Sequence, residues 1–350
     1  MSHDDTKQAI LDALATVNDP ELHRDLVSLK MVQNVAFCDG VATVRIELTT
    51  PACPLKDTLR NDIQRAVSRV AGVRQVNVEF SATVRRGTGP LTGALASVKN
   101  VLAVGSGKGG VGKSTVAVAI ATALMRDGAT VGLLDADIYG PSIPTMLGLK
   151  DATPRVRDEK IVPVEWRALD RDGQGQADAD APALKVISVG FLVDPDKALV
   201  WRGPMVHGVI RQFLSQVDWG ELDYLVIDLP PGTGDVPLTL AQSIPLTGAV
   251  VVATPQEVAL ADARRAVRLF ADIQVECLGL VENMSYYLCP ACGHEDDLFG
   301  RGGAETAAAE LGVPFLGAIP INTAIRVIAR AQTPLARQRR HCCQTASHGG

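Results

Sequence analysis

The sequence has few aromatic residues and no long apolar run. Phe, Trp and Tyr make up 4% of the 350 residues, whereas hydrophobic residues make up 47% and charged residues 21%. This composition is typical of a globular chain with a large core, and it excludes disordered and fibrous architectures. No apolar stretch approaches the roughly 18 residues that a membrane-spanning helix needs, and the first residues are polar. We therefore expect a cytoplasmic protein without a membrane partner.

A strong excess of one charge is also missing. The 34 basic and 39 acidic residues leave a formal net charge of -5, which gives no electrostatic reason to expect a nucleic-acid partner. The seven cysteines are odd in number and spread over a long chain, which argues against a disulfide framework and for reduced thiols.

Two kinds of secondary-structure pattern divide the chain. Residues 1–84 combine helical stripes with strand-like runs and an Asp-Gly turn signal, which predicts a small α+β domain. Residues 85–99 are rich in Gly, Thr and Ser and predict a linker. Residues 100–335 alternate short β-branched runs with helical segments, which predicts a doubly wound α/β domain around a mostly parallel sheet. We expect a polar surface stretch at 171–182 and a disordered tail at 336–350.

A phosphate-binding loop (P-loop) follows the first predicted strand of the second domain. The sequence GKGGVGKST fits the pattern G-x-x-x-x-G-K-[ST] and leads into a predicted helix. Backbone N–H groups of such a loop bind phosphate oxygens, Lys113 can reach the β and γ phosphates of ATP, and Ser114 can hold Mg²⁺. The predicted nucleotide-binding residues of the loop are Gly107, Lys108, Gly109, Gly110, Val111, Gly112, Lys113, Ser114 and Thr115.

Carboxylates stand at the ends of two further predicted strands. Asp135 and Asp137 end one strand and Asp228 ends another, and the carboxyl ends of parallel strands face the ligand crevice. We predict that Asp137 positions the attacking water as a catalytic residue and that Asp228 supports Mg²⁺ through water. For Asp135, a structural role as a helix cap is an open alternative.

Cys289 and Cys292 form a C-x-x-C pair, which places two thiolates within reach of one metal centre. The sequence contains no second C-x-x-C pair. His294 and another group could complete a zinc site, the pair could be a redox dithiol, or a second subunit could supply two more thiolates around an iron–sulfur cluster. We favour the shared cluster.

The additional lysine of the P-loop, Lys108, resembles that of the ATPase class that includes nitrogenase iron protein and the division-site and plasmid-partition ATPases. In that class this lysine reaches across a dimer to the partner's nucleotide, which implies a catalytic role for Lys108 beside Lys113. The alternative is a solvated surface lysine.

Longer motifs resemble one family of that class. KGGVGKST, DADIYGPSIPTMLG, WGELDYLVIDLPPGTGD and VENMSYYLCPACG are similar to the Mrp/ApbC family of iron–sulfur cluster carrier ATPases. The resemblance implies a homodimer that hydrolyses ATP, bridges a 4Fe-4S cluster between Cys289 and Cys292 of each subunit, and passes it from a cluster-assembly scaffold to apo-proteins. It also implies that Asn283 contacts adenine.

The first domain is similar to the iron–sulfur-assembly domain that is often fused to this family. Its motifs are DPEL at 19–22 and TTPACPL at 49–55. Cys53 matches the characteristic cysteine of that domain, as an accessory thiol or as a buried structural residue. No role is predicted for Cys342 and Cys343.

Two other functions use the same P-loop. A nucleotide-gated electron-transfer reductase would keep its cluster through many redox cycles. A spatial-organising ATPase with a structural zinc site would need a membrane-binding helix or a DNA-binding basic face, and the sequence shows neither.

Overall fold

The computed structural model describes residues 3–18, 24–48, 56–82, 95–138, 140–167, 182–191, 203–290 and 292–322. The first elements are α1 (His3–Leu14), β1 (Val32–Cys38), β2 (Val41–Leu48), α2 (Lys56–Val67) and β3 (Gln75–Ala82). The later elements are β4 (Val98–Gly105), α3 (Lys113–Arg126), β5 (Val131–Asp135), α4 (Ile143–Met146), β6 (Arg155–Arg157), β7 (Lys160–Val162), β8 (Val164–Trp166), β9 (Leu184–Ser188), α5 (Gly203–Gln216), β10 (Leu222–Asp228), α6 (Asp235–Ser243), β11 (Gly248–Ala253), α7 (Glu257–Asp272), β12 (Cys277–Leu288), β13 (Glu295–Asp296), α8 (Gly303–Leu311) and β14 (Phe315–Ile321).

Several predictions concern residues outside these ranges. They are Cys53, the linker residues 85–94, the polar residues 171–181 and the tail at 336–350 with Cys342 and Cys343.

The first sheet has three strands in the order β1-β2-β3. β1 and β2 are antiparallel and meet at the predicted Asp-Gly turn, where Asp39 has φ 50° and Gly40 has φ 82°. β3 pairs parallel to β2 after the helical crossover α2. Apolar side chains of α1, α2 and the inner sheet face form one core, because alternate residues of β2 and one stripe of each helix are buried.

The second sheet has the order β13-β12-β11-β4-β10-β5-β9-β8, with β14 also paired to β12. The pairs among β12, β11, β4, β10, β5 and β9 are parallel, and so is β12 with β14. β13 and β8 are antiparallel to their neighbours. Two core clusters contain side chains from the central strands. A sheet covered on both faces explains the continuous apolar runs of β10 and β11 and confirms the predicted α/β fold.

Two features of this sheet differ from the sequence-based expectation. β4 begins at Val98, inside the segment 85–99 predicted as linker, because Val98 pairs with Leu222 and is buried in the core. The short strands β6, β7, β8 and β13 were not predicted, since two or three residues carry no readable periodicity. Among the described residues, no helix has both the length and the apolar character needed to cross a membrane.

Candidate functional site

The P-loop joins the carboxyl end of β4 to the N-terminus of α3. Gly110 and Gly112 have φ values of 81° and 80°, in the left-handed region where a Cβ atom is unfavourable. Gly107 is required for a different reason, since a Cβ there would lie 2.2 Å from the backbone of Asp262 in α7. The glycines of the motif therefore allow both the turn of the loop and its close packing on α7.

Lys113 lies between two of the predicted carboxylates. Its Nζ donates a hydrogen bond of 2.6 Å to Asp228 Oδ1 and lies 3.4 Å from Asp137 Oδ2. Ser114 Oγ donates to the other oxygen of Asp228 at 2.5 Å. The structure thus brings together the four side chains that the sequence assigned to phosphate, magnesium and water, and all but Ser114 are buried.

Burial dominates the electrostatics of this cluster. Desolvation raises the pKa of Asp228, and the positive charge and hydrogen bonds of Lys113, with the hydroxyl of Ser114, oppose that rise. Desolvation also raises the pKa of Asp135, to about 7, and repulsion by Asp228 adds to the effect. Burial therefore disfavours the charged forms of Asp135 and Asp228, and the positive charge of Lys113 opposes this effect.

Asp137 carries a buried oxygen that the described chain leaves unsatisfied. Its Oδ1 has no hydrogen-bond partner among the described residues, although buried polar oxygens are normally paired. Carboxylate and hydroxyl oxygens are the hard ligands that suit Mg²⁺ and its bound water. The donor set of Asp137, Asp228 and Ser114 therefore fits a hydrated magnesium ion.

Asp135 has a different environment from Asp137. One of its oxygens accepts a hydrogen bond from the Asp137 N–H at 3.2 Å. The other accepts from the Ile143 N–H at 3.2 Å, at the start of α4, and from Ser188 Oγ at 3.0 Å. These contacts fit the alternative structural reading of Asp135, because it joins β5, β9 and the turn that carries Asp137.

Lys108 and Asn283 lie on or beside the loop. The Lys108 carbonyl accepts a hydrogen bond from Ser106 Oγ at 2.9 Å, and within the described ranges no ion pair holds its ammonium group. Asn283, buried in β12, donates from Nδ2 to the Val111 carbonyl at 2.8 Å. Its contact with adenine stays a prediction. The bond to the P-loop backbone was not predicted, and only the matching motif could have drawn attention to it.

The two cysteines lie at the tip of a hairpin. β12 and β13 pair through Leu288 and Glu295, so the two cysteines lie in the connection between these strands. The Gly293 N–H donates to the Cys289 carbonyl at 2.9 Å, and the Cys289 N–H donates to the His294 carbonyl at 2.9 Å. Neither thiol forms a disulfide within the described part of the chain, and Cys289 is half-buried while Cys292 is exposed. The hairpin therefore presents two reduced thiols near the surface.

Cys289 and Cys292 are the two candidate metal ligands of the hairpin. In the part of the chain that the structure describes, no group of three or more His, Cys, Asp and Glu side chains is arranged to hold a metal ion. The structure therefore does not join His294 to the two thiols as a third ligand, as the zinc alternative would require.

Comparisons with known proteins show the family of each part of the chain. The NUBPL iron-transfer P-loop NTPase family matches residues 97–348, and an iron–sulfur cluster assembly protein family matches residues 7–80. An iron–sulfur cluster carrier protein of Deinococcus radiodurans is 51% identical over 93% of this chain and 88% of its own length. One of Synechocystis is 48% identical over 92% of this chain and 88% of its own.

A solved structure gives a further comparison. The chain is 40% identical to a nucleotide-binding protein of Archaeoglobus fulgidus in complex with ADP, with a TM-score of 0.58, over 69% of this chain and 89% of that one. The resemblance predicted from the motifs is confirmed: the chain belongs to the family of NUBPL-type iron-transfer P-loop NTPases.

Proposed function

We propose that this chain is an ATP-hydrolysing carrier that holds a 4Fe-4S cluster between two copies of itself and passes it to apo iron–sulfur proteins. The observation that carries the proposal is the course of β12, which contacts the P-loop at Asn283 and leads directly into the hairpin of Cys289 and Cys292. The cargo is inferred from the iron–sulfur cluster carrier proteins that are similar to nearly the whole chain.

The buried cluster at the P-loop supports ATP hydrolysis. Lys113 would neutralise charge on the β and γ phosphates, and Ser114 with Asp228 would hold Mg²⁺, Asp228 through water. When bound there, the ion would supply charge compensation at the transferring phosphoryl group. Asp137 Oδ1, which has no partner in the described chain, orients the attacking water. Its neighbour Asp135 fixes the Asp137 backbone.

The cysteine hairpin supports a shared cluster. Thiolates are soft ligands that suit iron–sulfur centres, and a 4Fe-4S cluster takes four of them. One hairpin supplies Cys289 and Cys292, so a second copy of the chain supplies the other two. In such a homodimer Lys108 reaches the nucleotide of the partner. Closure of the dimer then couples ATP hydrolysis to the affinity of the dimer for the cluster.

The remaining assignments extend this proposal. Asn283 contacts adenine, and Cys53, which lies outside the described residues, serves as an accessory thiol of the first domain. The two domains comprise residues 1–84 and, from the start of β4 at Val98, the residues up to 335, with the linker between them. A cluster-assembly scaffold loads the dimer, and the transfer takes place in the cytoplasm.

Anaerobic reconstitution tests the proposal. Wild type and Cys289→Ala are incubated with iron and sulfide, iron and sulfide per dimer are measured, and the loaded protein is mixed with an apo-ferredoxin. Cys38→Ala is the matched control, because Cys38 is an exposed thiol in β1. We expect about four iron atoms per dimer in wild type and in the control, near-complete loss in Cys289→Ala, and transfer to the ferredoxin. Bound zinc, or a cluster that stays on the dimer, would contradict the proposal.

A further inference from the structure

β12 connects the nucleotide site to the thiols without an intervening loop. Asn283 Nδ2 lies so close to the P-loop that a Cβ added to Gly112 would lie 2.1 Å from it. Cys289 directly follows the last residue of the same strand. A displacement of the Val111 carbonyl, to which Asn283 donates, therefore acts on β12 six residues before the first thiol.

The residue before Asn283 in β12 has a buried carboxylate that connects this strand to the segment returning from the hairpin. Glu282 has no exposed surface and accepts hydrogen bonds from Ser285 Oγ at 2.6 Å, the Gly302 N–H at 2.9 Å and the Ala304 N–H at 2.7 Å. Gly302 and Ala304 begin α8, where the chain returns from the hairpin. Glu282 therefore fastens the outgoing strand to the returning segment.

Between these anchors and the cysteines, the strand contains an irregularity centred on Met284. Met284 has φ 55°, a left-handed conformation that is unfavourable for a residue with a Cβ atom. The next pair with β14 after Asn283–Ile319 is Tyr287–Ile321. The chain therefore advances four residues in β12 where it advances two in β14. This is a bulge with an unfavourable backbone conformation that the surrounding contacts impose.

The bulge also lies beside the P-loop and leads into the hairpin. Met284 Cε lies 3.7 Å from the position that a Cβ on Gly112 would occupy. The guanidinium of Arg301 stacks 4.1 Å from the ring centroid of Tyr286 and pairs with Glu295 of β13 at 2.8 Å. The segment after the bulge is thereby fastened to the hairpin, so a change of backbone angles at Met284 moves the two together.

We propose that Met284 is a positioning residue for the cysteine pair. Its left-handed backbone is the hinge through which nucleotide bound at the P-loop changes the positions of Cys289 and Cys292. This inference rests on the proposed function, in which both sites act together. Its physical basis is that a residue held in a sparsely populated backbone conformation can change to another conformation at little cost in free energy once one of its contacts shifts.

The test measures thiol reactivity in reduced, cluster-free full-length protein. The alkylation rates of Cys289 and Cys292 by iodoacetamide are followed by peptide mass, with and without saturating ADP and Mg²⁺, and ADP affinity is measured separately by calorimetry. In wild type we expect ADP to change the rates about fivefold or more. In Met284→Gly, where the left-handed backbone is no longer unfavourable, we expect that ratio to fall close to one while ADP affinity is retained.

Three further variants sharpen the result. Met284→Ala keeps a Cβ atom and should keep the ADP effect. Glu159→Gly makes the same kind of change at another residue of positive φ, in the exposed turn between β6 and β7, and should also keep it. If Met284→Gly does not fold, Glu282→Gln is used instead, because an amide cannot accept all three hydrogen bonds, and the ADP effect should fall with affinity retained.

The outcomes separate this inference from the carrier function. The inference is overturned if wild type shows no ADP effect, if Met284→Gly keeps it, if Met284→Ala loses it, or if Met284→Gly no longer binds ADP. Since cluster-free protein is used, a failure of cluster transfer leaves this readout unchanged, and the reverse also holds.

Discussion

Lys113 Nζ donates a 2.6 Å hydrogen bond to Asp228 Oδ1, and the aspartate has no exposed surface. The pair joins the first residue of α3 to the last residue of β10, and these two residues are 115 positions apart in sequence. A buried carboxylate and a buried ammonium group each need an opposite charge nearby to offset the cost of leaving water. Here each group provides that charge for the other. The same two groups are the ones that ATP and Mg²⁺ engage in the proposed reaction.

Replacing Asp137 by Ala should abolish hydrolysis but not nucleotide binding. The variant removes a buried carboxylate oxygen that has no hydrogen-bond partner among the described residues, and loss of a positioned catalytic group costs about 100-fold or more in turnover. Phosphate release and ADP affinity are measured in parallel. Asp151→Ala, at an exposed position, is the control and should behave like wild type. Unchanged turnover in Asp137→Ala would remove Asp137 from the mechanism.

Replacing Gly107 by Ala should destabilise the protein and weaken nucleotide binding. The added methyl group meets the backbone of Asp262, which cannot move aside as a flexible side chain can, and such overpacking costs about 1–3 kcal/mol. Gly208→Ala in α5 is the control, because nothing lies within 4 Å of its added Cβ. That control should be neutral or stabilising by up to about 1 kcal/mol. Urea unfolding and calorimetry measure both effects, and equal stability of the two variants would contradict the packing at Gly107.

The stability of the protein should depend on pH through Asp135. Burial raises its pKa to about 7 in the folded state, from 3.8 in the unfolded chain, so the folded state holds the proton more tightly. This contribution to stability is present at low pH and is lost as pH rises through about 4 to 7. Asp135→Asn cannot ionise, so its Tm relative to wild type should rise as the pH rises from about 4 to about 7 and level off above that.

Thermal unfolding of nucleotide-free and magnesium-free protein measures this difference. Asp151→Asn serves as the control, since no buried charge changes there, and its Tm should follow that of wild type throughout. A constant difference between Asp135→Asn and wild type across this pH range would show that Asp135 is not the group responsible.

Replacing Glu282 by Ala should cost about 2–5 kcal/mol of stability, because three donors that include two backbone N–H groups lose their buried acceptor. Ser285→Ala removes only one of those donors and should cost about 1 kcal/mol. Chemical unfolding of the two variants gives both values. Costs of similar size would mean that the carboxylate does not bind the N-terminus of α8.

The sequence was most informative where a motif had a single geometric solution. The P-loop required glycines at fixed positions between a strand and a helix, and Lys113, Ser114 and Asp228 meet as that pattern predicts. The apolar runs of β10 and β11 predicted strands buried on both faces, which the parallel sheet has. Local pattern and tertiary packing agree at these places.

The relations that the sequence could not predict are contacts between distant segments. The hydrogen bond from Asn283 to the Val111 carbonyl spans 172 residues, and no local pattern indicates it. The left-handed backbone of Met284 is likewise imposed by its surroundings, since methionine has no preference for that conformation. The short strand β13 forms because the hairpin closes around the cysteine turn, although Glu295 and Asp296 have low strand propensity.

Native mass spectrometry of the anaerobically reconstituted protein tests the shared cluster most directly. The account predicts one species, a dimer of the full chain that carries a single 4Fe-4S cluster, and its replacement by cluster-free protein when both Cys289 and Cys292 are changed to Ala. A monomer that carries its own metal centre, or a dimer that keeps a cluster without these cysteines, would contradict it.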